Sequence, residues 1–516
     1  MPDRWQTYPL EFAGGLISNL SPLQHGITAP GSARNLINFE PSTDGGYRRI
    51  EGFEKYNTNA VTGQNNILGV VLYKDRAIVA RDQSGGNPKL FAGATTGAYT
   101  DLSTSLTLGA STSRVRFVRY NFTGSDKLYI VDGIGYPLIL NGLTASDLSQ
   151  LSSPSDIEGA SHITQFKDHI FLSKGENLIY SAPFLDTDFT SASGGGIINV
   201  GSEITALVPF REQLIIFSES KINRLVGSSQ GDFKMQPITD DIGCLSGDTV
   251  QEISGDIIFL GPDGLRTLAG TEKNQDFNLG AISKPIQKQI VDLTSSNSSF
   301  SSVVIREKSQ YRIFGFNNNT TESSSKGIIG TQLQTAQGMG INWAEVTGIK
   351  AYVADSVYVG KVETILFAND DGYVYKMESG NSFDGDNITA SFSTPYFPIT
   401  DPRTRKTIYR ASVYTEPQGS INLDFNLKYD LSSEGVIEPE TITLSNASAS
   451  GGVFTYGSSN AVFGTAVFSG ESLQSIFDTQ TQGSGFTVSL QFESSGTSPP
   501  FAMDAAVLEY GQYGRR

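Results

Sequence analysis

A short apolar strand, introduced by a charged or polar tip, recurs along the first three quarters of this chain. It reads Tyr73-Lys-Asp-Arg-Ala-Ile-Val-Ala80 and Gly124-Ser-Asp-Lys-Leu-Tyr-Ile-Val131, then Phe166-Lys-Asp-His-Ile-Phe-Leu172. It returns as Phe210-Arg-Glu-Gln-Leu-Ile-Ile-Phe217 and Ser254-Gly-Asp-Ile-Ile-Phe-Leu260. Two weaker copies are Lys308-Ser-Gln-Tyr-Arg-Ile-Phe314 and Lys361-Val-Glu-Thr-Ile-Leu-Phe367. Successive copies lie roughly 40 to 55 residues apart, the length of a four-stranded propeller blade. Another apolar or alternating stretch precedes many copies, such as Ile67-Leu-Gly-Val-Val-Leu-Tyr73 or Val115-Arg-Phe-Val-Arg-Tyr120. A turn and a further strand follow, such as Gly175-Glu-Asn-Leu-Ile-Tyr180. This predicts a strand, a tight charged turn, a buried strand, a polar turn and a strand facing outward. One blade cannot bury both its faces; radial packing of six or seven does so and leaves only short edges.

Composition agrees with an all-β fold. Gly numbers 55, and only 17% of residues are charged, too few for long exposed helices. Phe (30) and Tyr (21) supply aromatic bulk between turn residues. One segment departs: Ser283-Lys-Pro-Ile-Gln-Lys-Gln-Ile-Val-Asp-Leu293 places Ile286, Ile290 and Leu293 on one helical face. Ser283 is the expected N-cap, with Pro285 in the first turn.

Three regions follow. Residues 1–60 hold turn signals and few apolar runs, and read as an extended N-terminal arm. Residues 61–385 carry the propeller. Pro395, Pro398 and Pro402 mark a change of texture, and 386–516 read as a β-sandwich-like C-terminal domain. There Ile421, Leu423, Phe425, Leu427 and Tyr429 alternate on one face. The stretch 431–480 reads as long loops with short strands.

Chemistry-bearing motifs are sparse, so no catalytic residue, metal site or cofactor is assigned and the chain is expected not to be an enzyme. The histidines are His25, His162 and His169; the latter two flank an expected strand at an odd offset. No HExxH or P-loop occurs, and the single Cys244 excludes an internal disulfide and reads as a small buried residue. Gly227-Ser-Ser-Gln-Gly231 fits G-x-S-x-G, but no helix is expected after it, as a nucleophile elbow requires. The acidic pairs Asp240-Asp241, Asp370-Asp371, Asp384 with Asp386 and Asp186 with Asp188 fit turns better than a calcium loop. Short basic clusters at Tyr47-Arg48-Arg49, at Arg403 and Arg405, and at Arg515-Arg516 are the candidate partner-interface residues. The net charge of −16 speaks against long-range attraction to nucleic acid. The first residues, MPDRWQTYPLEF, contain no apolar stretch of a secretory signal, and no run is long enough to span a membrane.

The segment Leu10-Glu-Phe-Ala-Gly-Gly-Leu16, Ser21-Pro22, Ala33-Arg-Asn-Leu-Ile-Asn-Phe-Glu-Pro41 and Gly45-Gly-Tyr-Arg-Arg-Ile-Glu-Gly-Phe-Glu-Lys-Tyr56 resembles the start of tail hub, or nozzle, proteins of short-tailed bacteriophages. The order of segments from Ile163 to Leu268 resembles the same packaged-DNA stabilisation family, and the closing Gly485-Phe-Thr-Val…Ala505-Ala-Val-Leu-Glu-Tyr510…Arg515-Arg516 resembles the closing strands of phage tail β-domains. The resemblance implies a structural virion protein assembled in the host cytoplasm. It implies a homohexamer below a portal and adaptor ring, with tail fibres or a tail tip as further partners. DNA would pass through the lumen without specific binding, retained before infection and guided out during it. The alternatives are a carbohydrate-binding or depolymerising propeller, expected to cluster Trp and Tyr beside two carboxylates, and another tail or baseplate component.

Overall fold

The computed structural model describes residues 5–104, 106–110, 112–122, 124–151, 155–270, 281–335, 338–432, 438–445 and 475–515. All seven copies of the repeat take one place: each forms the second strand of an antiparallel set. The strands are Arg76–Gln83, Asp126–Val131, His169–Lys174, Gln213–Ser218, Asp256–Gly261, Gln310–Phe316 and Val362–Ala368. The tips before them are tight turns with left-handed backbone. Lys74 and Asp75 have φ of 47° and 61°, and Lys167 and Asp168 of 46° and 63°. Such a turn matches the right-handed twist of the strands it joins.

Six small sheets stand in a ring and form a β-propeller. Four of them, spanning 67–101, 116–150, 162–199 and 204–239, have four strands in sequence order. The fifth, 251–267, has three among the described residues. The last takes Val353–Val359, Val362–Ala368 and Val374–Met377, and is completed by Phe53–Lys55 from the arm. Between the fifth and last sheets lies Ser299–Ile305, the first strand of a nine-stranded sheet, packed beside Gln251–Ile253 and Val353–Val359. Seven copies therefore accompany six separate blades: the sixth copy belongs to the large sheet.

The second strands are buried because their two faces serve two neighbours. Ile170 and Leu172 join the apolar cluster of Tyr129 and Val131 on one side. Phe171, between them, joins Leu207, Leu214 and Ile216 on the other. Each such side chain contributes about 1.5–3 kcal/mol of burial. The expectation that the third strand faces outward is corrected. Leu178, Ile179 and Tyr180 are buried, and the fourth strand, Gly196–Asn199, is outermost.

The arm is woven into its own molecule. Gln6–Glu11 pairs with Phe501–Arg515, and Asn35–Ile37 lies between Gly338–Thr347 and Ile388–Ser393 in the nine-stranded sheet. Phe39–Pro41 and Tyr47–Arg49 join a seven-stranded sheet. Gly15 lets the arm pass this closely: its φ is +66°, and a Cβ there would meet the Trp343 backbone nitrogen at 2.7 Å.

The seven- and nine-stranded sheets share one core, in which Ile408, Val413 and Leu508 face Leu423, Phe425 and Leu490. That core also takes in Ile313 and Trp343, so no break in the sheet falls at 385. The helix over Gln287–Ser296 follows a 3-10 turn at Lys284–Ile286, with Ile286, Ile290 and Leu293 buried as expected. Ser283 does not cap it; its hydroxyl accepts the Leu265 N–H at 3.0 Å. The loops expected over 431–480 include strands Ile442–Ser445 and Ser475–Gln480, whereas 433–437 and 446–474 lie outside the described residues.

Candidate functional site

The inner strands leave one backbone edge facing the ring axis, so polar groups must meet there. They enclose a cavity of about 260 Å³ near the end of the axis where those strands begin. One wall carries Arg114, Arg116, His162 and Asp248. Arg116 grips Asp248 with two parallel bonds, Nε to Oδ1 at 2.9 Å and Nη2 to Oδ2 at 3.0 Å. Its Nη1 donates to the Ser161 carbonyl at 3.0 Å. Arg114 Nε lies 3.2 Å from Asp248 Oδ2, while its other nitrogens donate to the carbonyls of Tyr352 and Phe300. The guanidinium also covers the Tyr352 ring at 4.3 Å. Burial would raise the Asp248 carboxyl, but Arg114 and Arg116 outweigh it and hold it well below the usual carboxylate range.

His162 Nδ1 lies 2.9 Å from Ser173 Oγ and 3.1 Å from Ser161 Oγ. Its Nε2 is buried and has no protein partner. Burial, then the charge of Arg116, push the imidazole down to about 3, so it is neutral at physiological pH. On another wall, burial pushes the Asp355 carboxyl up to about 6, against the N–H groups of Leu72 and Ser356.

A second charged cluster sits where ring, arm and large sheet meet. Arg312 Nη2 donates to Glu40 Oε2 at 2.9 Å, and Nη1 is ion-paired with Glu378 Oε1 at 2.7 Å. Lys308 bonds Glu40 at 2.8 Å and also Glu378. Gln310 Oε1 accepts twice from Arg312. Arg312 is fully buried, and every charge here has an opposite partner.

The residues expected at partner interfaces are scattered along one long strand pair. Tyr47 and Arg49 are interior, which corrects their assignment to a contact surface. Tyr47 donates to the Gly31 carbonyl at 3.2 Å, and Arg49 to those of Ser498 and Gly496. Arg48 is half-buried and pairs with Glu51 at 2.5 Å. Arg403 and Arg405 are exposed at the far end of that strand pair, where the backbone of Arg515 pairs with Thr404. Arg516 lies outside the described residues.

The three histidines do not converge on one site. His162 and His169 start two strands of one hairpin, not the ends of one strand. His169 is buried against Tyr180 and Phe233, and His25 bonds Ser32 Oγ at 2.6 Å. Cys244 is buried, and burial pushes its thiol up to about 11. The acidic pairs are drawn into local contacts: Asp370 to Lys350, Asp371 to the Tyr375 hydroxyl, Asp384 to Lys55, and Asp186 to Lys127 and Tyr129. Among the described residues no group of three acids, histidines or cysteines is placed to hold a metal. The Gly227–Gly231 segment is a turn followed by strand Lys234–Thr239. Trp343 is in the core, while Trp5 is exposed and stacks on Tyr409 at 5.1 Å.

Sequence reading missed both charged clusters. Arg116 lies in the alternating stretch before a repeat copy, and Arg312 interrupts the copy at 308–314. A charge inside an otherwise apolar repeat is the signal that marks them.

No protein-family model and no curated protein matches the chain. Among solved structures, the extracellular domain of a one-component system of B. thetaiotaomicron is similar at 9% identity and a TM-score of 0.38, over 70% of this chain and 43% of that one. An ancestral GH74 enzyme is similar at 8% identity and a TM-score of 0.39, over 67% and 51%. The CNH domain of AfRom2 is similar at 9% identity and a TM-score of 0.36, over 64% and 100%. The chain thus spans less than half of the first of these and about half of the second. No helix among the described residues is long and apolar enough to cross a membrane.

Proposed function

We propose that this chain is the tail hub, or nozzle, of a short-tailed bacteriophage: a structural, non-catalytic propeller protein that extends the DNA channel below the portal. The observation that carries this reading is the build of the arm. The segment 10–56, which holds the sequence resemblance, supplies strands to three sheets and places Glu40 in the buried cluster with Lys308, Arg312 and Glu378. A part that retains packaged DNA under load needs its propeller and sandwich locked into one body, and this arm locks them. The charge of −16 suits a wall along which a duplex slides without adhering. In this reading the DNA passage lies between copies, because the axial cavity of each propeller is far too small for a duplex.

Electron cryomicroscopy of particles encoded by the same genome tests the proposal. The expected map places six copies around the channel below the portal and adaptor. A peripheral position, with the axial cavity facing a glycan, would overturn it and favour the carbohydrate-binding alternative.

A further inference from the structure

The axial cavity has more hydrogen-bond donors than acceptors on one wall. Each guanidinium carries five N–H groups. Arg116 commits three, two to Asp248 and one to the Ser161 carbonyl. Arg114 commits three, to Asp248 and the carbonyls of Tyr352 and Phe300. Both Asp248 oxygens are already taken, so this wall keeps unspent donors and one net positive charge. The Asp355 carboxylate on another wall offsets that charge above pH about 6, so anion binding is expected to strengthen below that pH. The imidazole adds to the surplus. With Ser173 and Ser161 hydroxyls at Nδ1, the tautomer that carries its proton on Nε2 presents a donor with no protein acceptor. Solvent reaches the wall, since Arg116 and Asp248 keep 27% and 23% of their side-chain surface exposed.

We propose that the axial cavity is a binding site for one small oxyanion, a phosphate- or carboxylate-sized group held between Arg116 and His162. The chemistry favours an anion over a neutral polyol. Every hydroxyl of a polyol brings a donor of its own and no charge, whereas this wall needs acceptors and negative charge. It also disfavours a cation, because Asp248 is already shared by two guanidiniums and Asp355, on another wall, accepts from the N–H groups of Leu72 and Ser356. Arg supplies the planar fork that oxyanions fit. The neutral imidazole adds a directional contact without a second full charge. The site does not depend on the tail-hub reading; it belongs to the ring alone.

Calorimetric titration of the full chain with inorganic phosphate, and separately with acetate, at matched ionic strength tests the proposal. Saturable binding of one anion per chain is expected. His162→Leu removes the imidazole donor and is expected to weaken binding about tenfold, the weight of one hydrogen bond to a charged group. His162→Gln, which retains a donor, is expected to bind more tightly than the Leu variant. Should His162→Leu fail to fold by circular dichroism, Arg116→Lys takes its place: it keeps the charge, loses the fork, and should weaken phosphate binding. No saturable binding of either probe by the folded wild-type chain would overturn the proposal. So would undiminished affinity in whichever of the two variants folds. Binding of phosphate but not acetate would assign the site to phosphate-like groups, and the reverse to carboxylates.

Discussion

The cluster of Glu40, Lys308, Arg312 and Glu378 and the cluster of Arg114, Arg116 and Asp248 use the same chemistry in different proportions. In the first, Glu40 and Glu378 meet Lys308 and Arg312 with solvent excluded from Arg312, and each of these carboxylates is shared by both cations. Glu51, 3.9 Å from Lys308, is matched by Arg48. In the second, one acid meets two bases, and about a quarter of Arg116 and Asp248 stays accessible. A closed, balanced cluster fixes how elements sit together and has nothing left for a ligand. An open, unbalanced one holds its strands and keeps bonding capacity. Stoichiometry of charge, more than its mere presence inside a protein, separates a structural knot from a candidate site.

Breaking the closed cluster should cost most. Arg312→Met leaves Glu40 and Glu378 buried without their shared guanidinium, and a loss of about 3–5 kcal/mol is expected in urea unfolding. A loss under about 1 kcal/mol would show that the cluster is less closed than described. Asp248→Asn in the open cluster should cost less, about 1–3 kcal/mol, because solvent can compensate the two guanidiniums. Its pH dependence sharpens the contrast. The carboxyl is lowered on folding, so its stabilisation is present above the unfolded value near ~4 and fades as pH falls below it. The variant should lose that acid-side slope and bind anions more tightly.

Asp355 faces the same cavity with the opposite sign. Its carboxyl is raised to about 6, so the stability tied to its proton is present below ~4 and lost as pH rises through about 6. Asp355→Asn should therefore stabilise the chain at pH 8, by about 1–2 kcal/mol in thermal melts, and change little at pH 4. A destabilised variant at pH 8 would contradict the assigned burial. The smallest effect is expected at the hairpin tips. Lys167 pairs with Glu212, which is 83% exposed, and Lys167→Ala should stay within about 0.5 kcal/mol of the parent.

The ring was legible because its signal is local and repeated. A two-residue turn with a charged tip, followed by residues buried on both faces, leaves the same trace seven times. The third and fourth strands were harder, because burial of Leu178 and Tyr180 depends on the next blade and not on their own alternation. The arm reads as extended in sequence, yet its placement depends on partners hundreds of positions away, such as Trp343 beside Gly15. The basic run at 47–49 looked like surface because sequence does not reveal that carbonyls of Gly496 and Ser498 await Arg49 inside. For the axial wall, Arg116 on an inner strand was visible, but Asp248 arrives from a different blade.

The strand Phe53–Lys55 completes the last blade by pairing with Val374–Met377. On the ribosome, the first of these emerges long before the second exists. At ~5–20 residues per second the wait is on the order of tens of seconds. During it, four complete sheets can form in sequence order while the ring stays open and Phe53–Lys55 waits for the blade it will complete. The ring is thus made from its middle outward in time, and the strands that close it are fastened late. Gln6–Glu11 cannot pair with Phe501–Arg515 until that distant strand has been made. A chain stalled or cleaved late would keep most of its blades and lose its closure, leaving an unpaired edge open to other chains.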